Sequence, residues 1–230
     1  MQIKFSIILP CYNEYGNLKY LVPAICKCFK KKTYEIIIVD DNSPDQTIKR
    51  LKIDFKKMKS IKYFLRKKNP SLGLSIKTGI EKSKGNSIVV MDSDFNHRPV
   101  DLKKLLDLFS KDNFDMVCGS RFLKGGYSVS IFRHFTSLLF NIFLNLITSG
   151  KMTDNLSGFF IIKKKILVNK IDKIFYGYGE YYIRLLFFLQ RNINIAEIPV
   201  SYGKRKYGVS KSKLMKMFFL YTSEAIKLLK

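Results

Sequence analysis

The chain has 230 residues, 47% of them hydrophobic, and its 42 lysines and arginines against 18 aspartates and glutamates give a net charge of +24. This length supports one well-filled core without requiring two domains, and the charge favours an anionic partner: a phosphorylated substrate, an anionic membrane surface or a nucleic acid. The four cysteines lack the spacing of a zinc site or a disulfide framework, which argues against both.

The first half of the chain alternates strands with helices. Strands are predicted at 3–9, 34–39, 61–65, 87–91 and 115–118, and helices at 15–30, up to residue 58, 73–83 and 100–109. Strands alternating with helices of this length indicate an α/β protein with a Rossmann-like, doubly wound and mostly parallel sheet.

The second half has a different character. An aromatic helix is predicted at 132–147, a helix at 180–190, a strand at 193–200, a basic loop at 201–213 and a terminal helix at 214–230. No stretch reaches the roughly 18–20 apolar residues of a membrane span. The chain therefore reads as one domain with a C-terminal elaboration.

Polar residues follow three of the predicted strands, at Pro10–Glu14, Asp40–Asp45 and Asp92–Asn96. In a parallel sheet these strand ends lie along one edge, where ligands bind. Asp92 and Asp94 repel each other unless a cation lies between them, and hard oxygen ligands suit Mg²⁺ or Mn²⁺ with positions left open for substrate phosphates. Taken alone, the Asp-x-Asp pair fits an acidic loop that caps the next helix better than it fits a metal site; the convergence of the three strand ends favours the metal.

The strand-end motifs together resemble family 2 glycosyltransferases of the GT-A fold. The resemblance is carried by four stretches, namely 7–14 (IILPCYNE), 39–45 (VDDNSPD), 72–80 (LGLSIKTGI) and 91–97 (MDSDFNH). It implies a nucleoside diphosphate sugar as donor and a divalent metal, Mg²⁺ or Mn²⁺, that neutralises the leaving diphosphate.

Further motifs resemble the polyprenyl-phosphate hexose synthases, which include the dolichyl-phosphate mannose synthases. They lie at 119–122 (GSRF), 124–126 (KGG), 154–160 (DNLSGFF) and 205–211 (RKYGVSK). The resemblance covers residues 3–213. It implies one glycosyltransferase domain, 1–230, with a nucleotide-sugar and metal half at 1–122 and an acceptor and membrane-facing half at 123–230.

The resemblance assigns the donor site to the three strand ends. Asp92, Asp94 and Asn96 are expected to surround the metal, with Asp94 as the catalytic ligand; many relatives have Gln at the position of Asn96, so a contact from the shorter side chain would need a water. The residues expected around the nucleotide are Pro10, Tyr12, Glu14, Asp40, Asp41 and Asp92. Asp41 also fits a plain turn before Ser43-Pro44. GDP-mannose is the favoured donor, and UDP-glucose stays open.

The implied acceptor is a polyprenyl or dolichyl phosphate, whose anionic oxygen needs no strong general base. Arg121 and Arg205 are expected to orient this phosphate as catalytic residues, because guanidinium forks bind phosphate oxygens. Arg133 and Ser137, one helical turn apart, would add a cation and a hydroxyl. His97 is expected to be structural. Asp154 is expected either to orient acceptor-side groups or, in preference, to cap Ser157-Gly158.

The 132–147 helix and the terminal helix combine apolar residues with lysines, a composition typical of helices in a membrane interface. We therefore expect a cytoplasmic protein attached peripherally to the cytoplasmic face of an anionic membrane, with a separate membrane subunit as an optional partner. The relatives' long C-terminal membrane region is not seen, so the chain resembles the soluble-domain type.

Three other interpretations compete with this one. A family 2 transferase acting on a glycan hydroxyl in cell-surface polysaccharide synthesis would need a general base, for which Glu180 is the candidate. A nucleic-acid-binding protein would show aromatic-basic interleaving, which we do not find, so no nucleic acid partner is expected. A catalytically silent subunit conflicts with the intact Asp92/Asp94 pair.

Overall fold

The structure is a computed structural model that describes residues 4–29, 33–111, 113–127, 131–148, 150, 152–203, 207 and 214–229, with the backbone alone at 131–133, 147–148 and 214–216. Its strands are β1 (Phe5–Cys11), β2 (Tyr34–Asp40), β3 (Ile61–Leu65), β4 (Ser87–Val90), β5 (Met116–Ser120), β6 (Phe160–Lys163) and β7 (Ile195–Pro199). Its α-helices are α1 (Tyr15–Lys27), α2 (Thr47–Asp54), α3 (Leu72–Lys82), α4 (Pro99–Lys111), α5 (Ile131–Thr148), α6 (Ile171–Ile174), α7 (Glu180–Leu189) and α8 (Leu214–Leu228).

The strands form one seven-stranded sheet in the order β3-β2-β1-β4-β6-β5-β7. β1 pairs in parallel with β2 on one side and with β4 on the other, so the winding direction reverses between β1 and β4. Such a reversal opens a crevice at the carboxyl ends of the strands. The expected α/β fold with a mostly parallel sheet is confirmed.

The antiparallel strand β6 was not predicted as a separate element. It pairs antiparallel with both β4 and β5. Its four residues are too few to show a period, and only the sheet determines its direction. Because β6 comes from the second half of the chain and lies between two strands of the first, both halves share one sheet.

Two apolar layers cover the two faces of this sheet. Ile7 and Leu9 of β1 point into the layer formed with α1, α2 and α4, whereas Ile8 points into the layer formed with α3, α6 and α7. Alternate residues of β1 therefore serve opposite faces, and both faces are buried, which explains why the strand reads as a continuous apolar run.

A smaller cluster attaches α8 to the body of the protein. Ala225 of α8 is fully buried against Phe140 and Leu144 of α5 and Ile183 of α7. Beside it, the buried Arg184 Nη1 lies 2.8 Å from Glu224 Oε1. The terminal helix is thus part of the core as well as a carrier of exposed apolar residues.

Candidate active site

The three polar strand ends lie side by side, as the sequence predicts, because β2, β1 and β4 are neighbours in the sheet. The turns that follow them are joined by hydrogen bonds. Ser93 Oγ donates to the Pro10 carbonyl at 2.8 Å, and the Asn13 N–H donates to Ser43 Oγ at 2.8 Å. One continuous polar edge results.

The turn after β4 presents oxygen atoms to this edge. Asp94 is only 6% exposed, and its carboxylate accepts the Asn96 N–H at 3.0 Å and the Asn96 Nδ2–H at 3.1 Å. Phe95 makes this bend possible with a left-handed φ of 71°. Because the Asn96 amide donates its NH₂ to Asp94, its Oδ1 is the atom left for a cation.

The chemistry of this donor set fits a hard divalent cation. Two carboxylates and one amide oxygen are ligands that Mg²⁺ and Mn²⁺ accept. Among the described residues, no group of three His, Cys, Asp or Glu side chains is assembled that could hold a metal by itself. A Mg²⁺ or Mn²⁺ ion held by this donor set would keep positions for substrate oxygens or water.

His97 supports the metal turn from behind. Its Nδ1 accepts the Asp92 N–H at 2.9 Å, and its ring stacks on Phe159 with centroids 4.5 Å apart. Burial lowers the pKa of His97 to about 4. A neutral imidazole whose Nδ1 accepts carries its proton on Nε2, so His97 acts as a fixed neutral support, in line with the structural role expected for it.

Asn17 of α1 holds the turn that follows β1 through hydrogen bonds. The buried Glu14 precedes α1, and its Oε2 accepts from Asn17 Nδ2 at 2.7 Å. The same Nδ2 donates to the Tyr207 carbonyl at 3.0 Å, and Asn17 Oδ1 accepts the Tyr207 N–H at 3.1 Å. Asn17 thus connects the motif after β1 to the one residue described between 204 and 213.

The two aspartates after β2 are already engaged by protein groups. Asp40 Oδ1 accepts from the Ser43 N–H and hydroxyl, which closes a turn. Asp41 pairs with the Arg66 guanidinium through Oδ1 and accepts the Ser71 N–H at 2.7 Å through Oδ2. The local turn before Ser43-Pro44 is thus closed by Asp40, whereas the Asp41 carboxylate joins distant segments. Any contact of Asp41 with a nucleotide base would run through its pair with Arg66.

Arg121 lies after β5 and is bound by Asp154 through a two-pronged ion pair. The side-chain Nε donates to Asp154 Oδ2 and Nη2 donates to Oδ1, both at 2.8 Å. The backbone N–H of Arg121 also donates to Oδ2, at 3.1 Å. Burial by itself would lower the pKa of Arg121, but the adjacent Asp154 carboxylate raises it above the usual value. One edge of the guanidinium is thus used internally, which leaves the outer edge for an anion.

Asp154 binds the Arg121 guanidinium rather than simply capping Ser157-Gly158. Its Oδ1 does accept the Leu156 N–H at 3.1 Å, but its main partner is Arg121. The loop carrying Asp154 is in turn bound by Glu197 of β7, which accepts the Thr153 N–H at 2.8 Å and the Asp154 N–H at 3.2 Å. Burial raises the pKa of Glu197.

The remaining acceptor-side predictions are only partly covered. Arg205 and the side chain of Arg133 lie outside the described residues, and Ser137 lies on α5. The rings of Phe122 and His134 are 4.8 Å apart, so the first turns of α5 lie beside the Arg121 segment.

Glu180, the base candidate of the alternative interpretation, lies at the start of α7. Its Oε1 accepts the Tyr178 N–H at 2.9 Å. Its Oε2 is buried without a hydrogen bond among the described residues. Gly179 lies so close to Tyr221 of α8 that a Cβ placed on it would be 1.8 Å from Tyr221 Oη. Helix α8 therefore packs against this end of α7.

The outer face of α5 and α8 is apolar and exposed. On α5 the exposed apolar residues lie at positions i, i+4, i+7, i+8 and i+11 of one helix face, and they are Phe135, Leu139, Ile142, Phe143 and Leu146. Phe218 and Phe219 continue this surface on α8. None of the described helices is long and apolar enough to cross a bilayer.

Three contributors to the site carried no signal that the sequence analysis detected: Asn17, Glu197 and Tyr202. Asn17 and Glu197 act through contacts with residues far along the chain, and Tyr202 looked like one more aromatic residue in a basic loop. The spacing of Asn17 three residues after Glu14, within the first turn of a helix, was the only local clue.

Comparison with known proteins agrees with this geometry. The family model described as "Glycosyl transferase family 2" matches residues 6–169. The chain is 30% identical to a dolichol-phosphate mannosyltransferase of Pyrococcus furiosus, over 99% of the chain and 64% of that protein. It is 27% identical to a dolichol-phosphate mannosyltransferase of Saccharomyces cerevisiae, over 92% of the chain and 82% of that protein. The chain thus spans a little under two thirds of the length of the Pyrococcus relative.

A solved structure shares the fold. Glucosyl-3-phosphoglycerate synthase from Mycobacterium tuberculosis, solved with Mn²⁺, UDP-glucose and phosphoglyceric acid, superposes with a TM-score of 0.75 at 18% identity, covering 99% of the chain and 80% of the synthase. The same synthase has been solved with Mg²⁺ and UDP. The likeness confirms the expected GT-A fold.

Proposed function

The chain belongs to glycosyl transferase family 2, and on this premise we propose that it transfers a hexose, mannose in preference, from a nucleoside diphosphate to a polyprenyl or dolichyl phosphate. The reaction would take place on the cytoplasmic face of a membrane. The observation that carries the proposal is the buried, carboxylate-bound cation Arg121 beside an acidic strand-end edge, since this pairing suits an anionic acceptor opposite a metal-bound diphosphate.

The donor would lie along the edge formed by Pro10, Tyr12 and Glu14, with its diphosphate toward Asp92, Asp94 and Asn96. Mg²⁺ or Mn²⁺ bound there would supply Lewis-acid stabilisation of the charge that develops on the leaving diphosphate. Asp94, buried and oriented by Asn96, holds its carboxylate in place before substrate arrives, which is the kind of preorganisation that lowers a barrier.

On the acceptor side, a phosphate oxygen of the lipid would attack C1 of the hexose. The bond from C1 to the donor phosphate breaks, and its electron pair leaves with the nucleoside diphosphate, which inverts the configuration at C1. The outer edge of Arg121, with Arg205 and Arg133, would orient the phosphate, because a positioned anion attacks faster than a free one. The attacking phosphate oxygen is anionic, so no base has to remove a proton from it.

Membrane attachment is proposed to use the apolar face of α5 and α8. Five exposed apolar side chains on α5 and two on α8 form it, and lysines near such a surface add roughly 1 kcal/mol each on anionic lipid. The +24 charge of the chain fits this setting. A separate membrane subunit could use the same face.

The test is a donor panel assayed with Mn²⁺ or Mg²⁺ and a short polyprenyl phosphate, with products identified by mass. We expect a metal-dependent hexosyl-phosphate lipid, formed best from GDP-mannose and less well from UDP-glucose. Product on a glycan hydroxyl without product on lipid phosphate would instead support the polysaccharide alternative, and Glu180→Gln should then abolish turnover.

A further inference from the structure

Tyr202 lies where the metal turn and Arg121 meet. Its Oη is 3.2 Å from His97 Nε2, and its ring centroid is 4.7 Å from the guanidinium carbon of Arg121. The phenol and the ring of this one side chain therefore contact the supports of both sides of the proposed site.

The hydroxyl of Tyr202 completes the hydrogen bonding behind Asp92. Tyr202 Oη donates to the Ser157 carbonyl at 2.7 Å. The proton on His97 Nε2 is shared between Tyr202 Oη and the same carbonyl, each 3.2 Å away. The opposite nitrogen, Nδ1, accepts the Asp92 N–H. A network of hydrogen bonds thus connects the Ser157 carbonyl, Tyr202 and His97 to the backbone of Asp92.

The ring of Tyr202 also packs against Arg121. Asp154 binds Nε and Nη2 of the guanidinium, and the guanidinium carbon lies over the Tyr202 ring, a cation–π arrangement. The two contacts together hold the guanidinium in one orientation and so determine where its outer edge points.

The backbone around Tyr202 is itself anchored on both sides. The Tyr202 N–H donates to the Tyr127 carbonyl at 2.9 Å, and the Gly203 N–H donates to the Asn96 carbonyl at 3.0 Å. A Cβ at Gly203 would lie 2.4 Å from the Phe95 carbonyl oxygen. The segment therefore packs directly against the metal turn, and the position of Tyr202 depends on that turn.

We propose that Tyr202 is a positioning residue that sets Asp92, through its hydroxyl and His97, and Arg121, through its ring, in one fixed relative geometry. The inference rests on the proposed function, because it assigns Asp92 to the donor side and Arg121 to the acceptor side.

The two arms can be separated by two substitutions. Tyr202→Phe removes the hydroxyl and keeps the ring, and we expect it to raise the KM for the donor about two- to tenfold, the range for one hydrogen bond. Tyr202→Leu also removes the ring, and we expect a further two- to thirtyfold loss in kcat/KM for the lipid phosphate, the range for a cation–π contact.

A double-substitution cycle tests the ring arm. If the ring acts through Arg121, Tyr202→Leu should change the acceptor kcat/KM less than about twofold in an Arg121→Ala background, because contacting residues are not additive. Equal effects in both backgrounds would show a general packing role and overturn this arm.

A spectroscopic test needs no turnover. The chain contains two histidines, so ¹⁵N-labelled imidazole signals can be assigned with a His134→Gln variant. We expect Tyr202→Phe to shift the His97 Nε2–H and the Asp92 amide resonances, whereas the control Tyr127→Phe, on the exposed neighbour, leaves them in place. Unmoved resonances would overturn the hydroxyl arm. Absence of turnover in the wild type would instead count against the proposed function and leave this test decisive for Tyr202.

Discussion

The donor edge and the acceptor side of this molecule are built by contacts of different range. On the donor edge, Glu14 is bound by Asn17 and Asp94 by Asn96, three and two residues away along the chain. On the acceptor side, Arg121 pairs with Asp154 across 33 residues, and Glu197 accepts the Thr153 N–H across 44. The donor-edge carboxylates Glu14 and Asp94 are therefore oriented by local turns, which are joined to one another across the sheet, whereas Arg121 is oriented by contacts between distant segments.

This difference predicts different responses to substitution. A change at Asp94 should remove chemistry and leave the fold, because the bonds of its carboxylate to Asn96 are local. A change on the acceptor side should affect stability and chemistry together, because its side chains also join segments of the core.

Removing the buried metal-side carboxylate should have the largest effect. Asp94→Ala should lower turnover by at least about 10²–10³-fold, the range seen when one preorganised charge-stabilising group is lost, while the melting temperature stays close to that of the wild type. Hexosyl transfer and thermal unfolding are measured together. Asp107→Ala, on the exposed surface of α4, is the control. Full activity in Asp94→Ala, or in the wild type with excess chelator, would refute the metal assignment.

Breaking the buried ion pair should destabilise the acceptor side. Asp154→Ala leaves Arg121 buried without its partner, and we expect a loss of about 3–5 kcal/mol in the free energy of unfolding, measured by denaturant titration. The matched control is Asp107→Ala, which removes the exposed pair with Lys103 and should cost at most about 1 kcal/mol. Equal losses in the two variants would mean that the Arg121–Asp154 pair adds nothing beyond a surface contact.

Substitution of the acceptor-side arginines should affect the lipid phosphate more than the donor. Arg121→Ala and Arg205→Ala should lower kcat/KM for lipid phosphate about 10–100-fold, the range for a hydrogen bond to a charged group, and change donor affinity less. Arg121→Lys should restore part of the loss, because lysine keeps the charge but cannot bind both Asp154 oxygens as a fork. Calorimetric donor binding and acceptor kinetics provide the readouts. An equal loss of donor affinity would place these arginines on the donor side.

Vesicle binding should show the smallest effect of a single substitution. Phe135→Ser and Leu146→Ser on the exposed face of α5 should each weaken sedimentation with anionic vesicles several-fold. Full burial of such a side chain contributes at most roughly 1.5–3 kcal/mol to binding. Ile53→Ser, an exposed apolar position on α2, serves as the control. Binding should also weaken as salt rises, because charges are screened over about 8–10 Å.

Point substitutions are preferable here to removal of the terminal helix. Ala225 of α8 packs in the core, and Glu224 pairs with Arg184. Truncation after Ser210 would therefore destabilise the protein as well as remove the exposed Phe218 and Phe219. No association with anionic or neutral vesicles at either of two salt concentrations would contradict direct membrane attachment and favour a separate membrane subunit or a soluble acceptor.

The mostly parallel sheet and the three polar strand ends could be predicted from the sequence. These features follow from local rules: apolar runs of strand length separated by helical periods, and turn residues directly after them. The residues that follow these strands could therefore be assigned in advance to one edge of the sheet, because the carboxyl ends of parallel strands lie there. Their donor-site roles come from the family resemblance and stay predictions.

The tertiary structure alone decided what the polar groups do to one another. That Asp154 binds Arg121 and that Asp41 binds Arg66 are consequences of the sheet bringing distant segments together. β6, Glu197 and Tyr202 were not found for the same reason, since neither a four-residue strand nor a single side chain carries a period. A buried charge needs a partner wherever the fold supplies one, and the choice of that partner is made by packing.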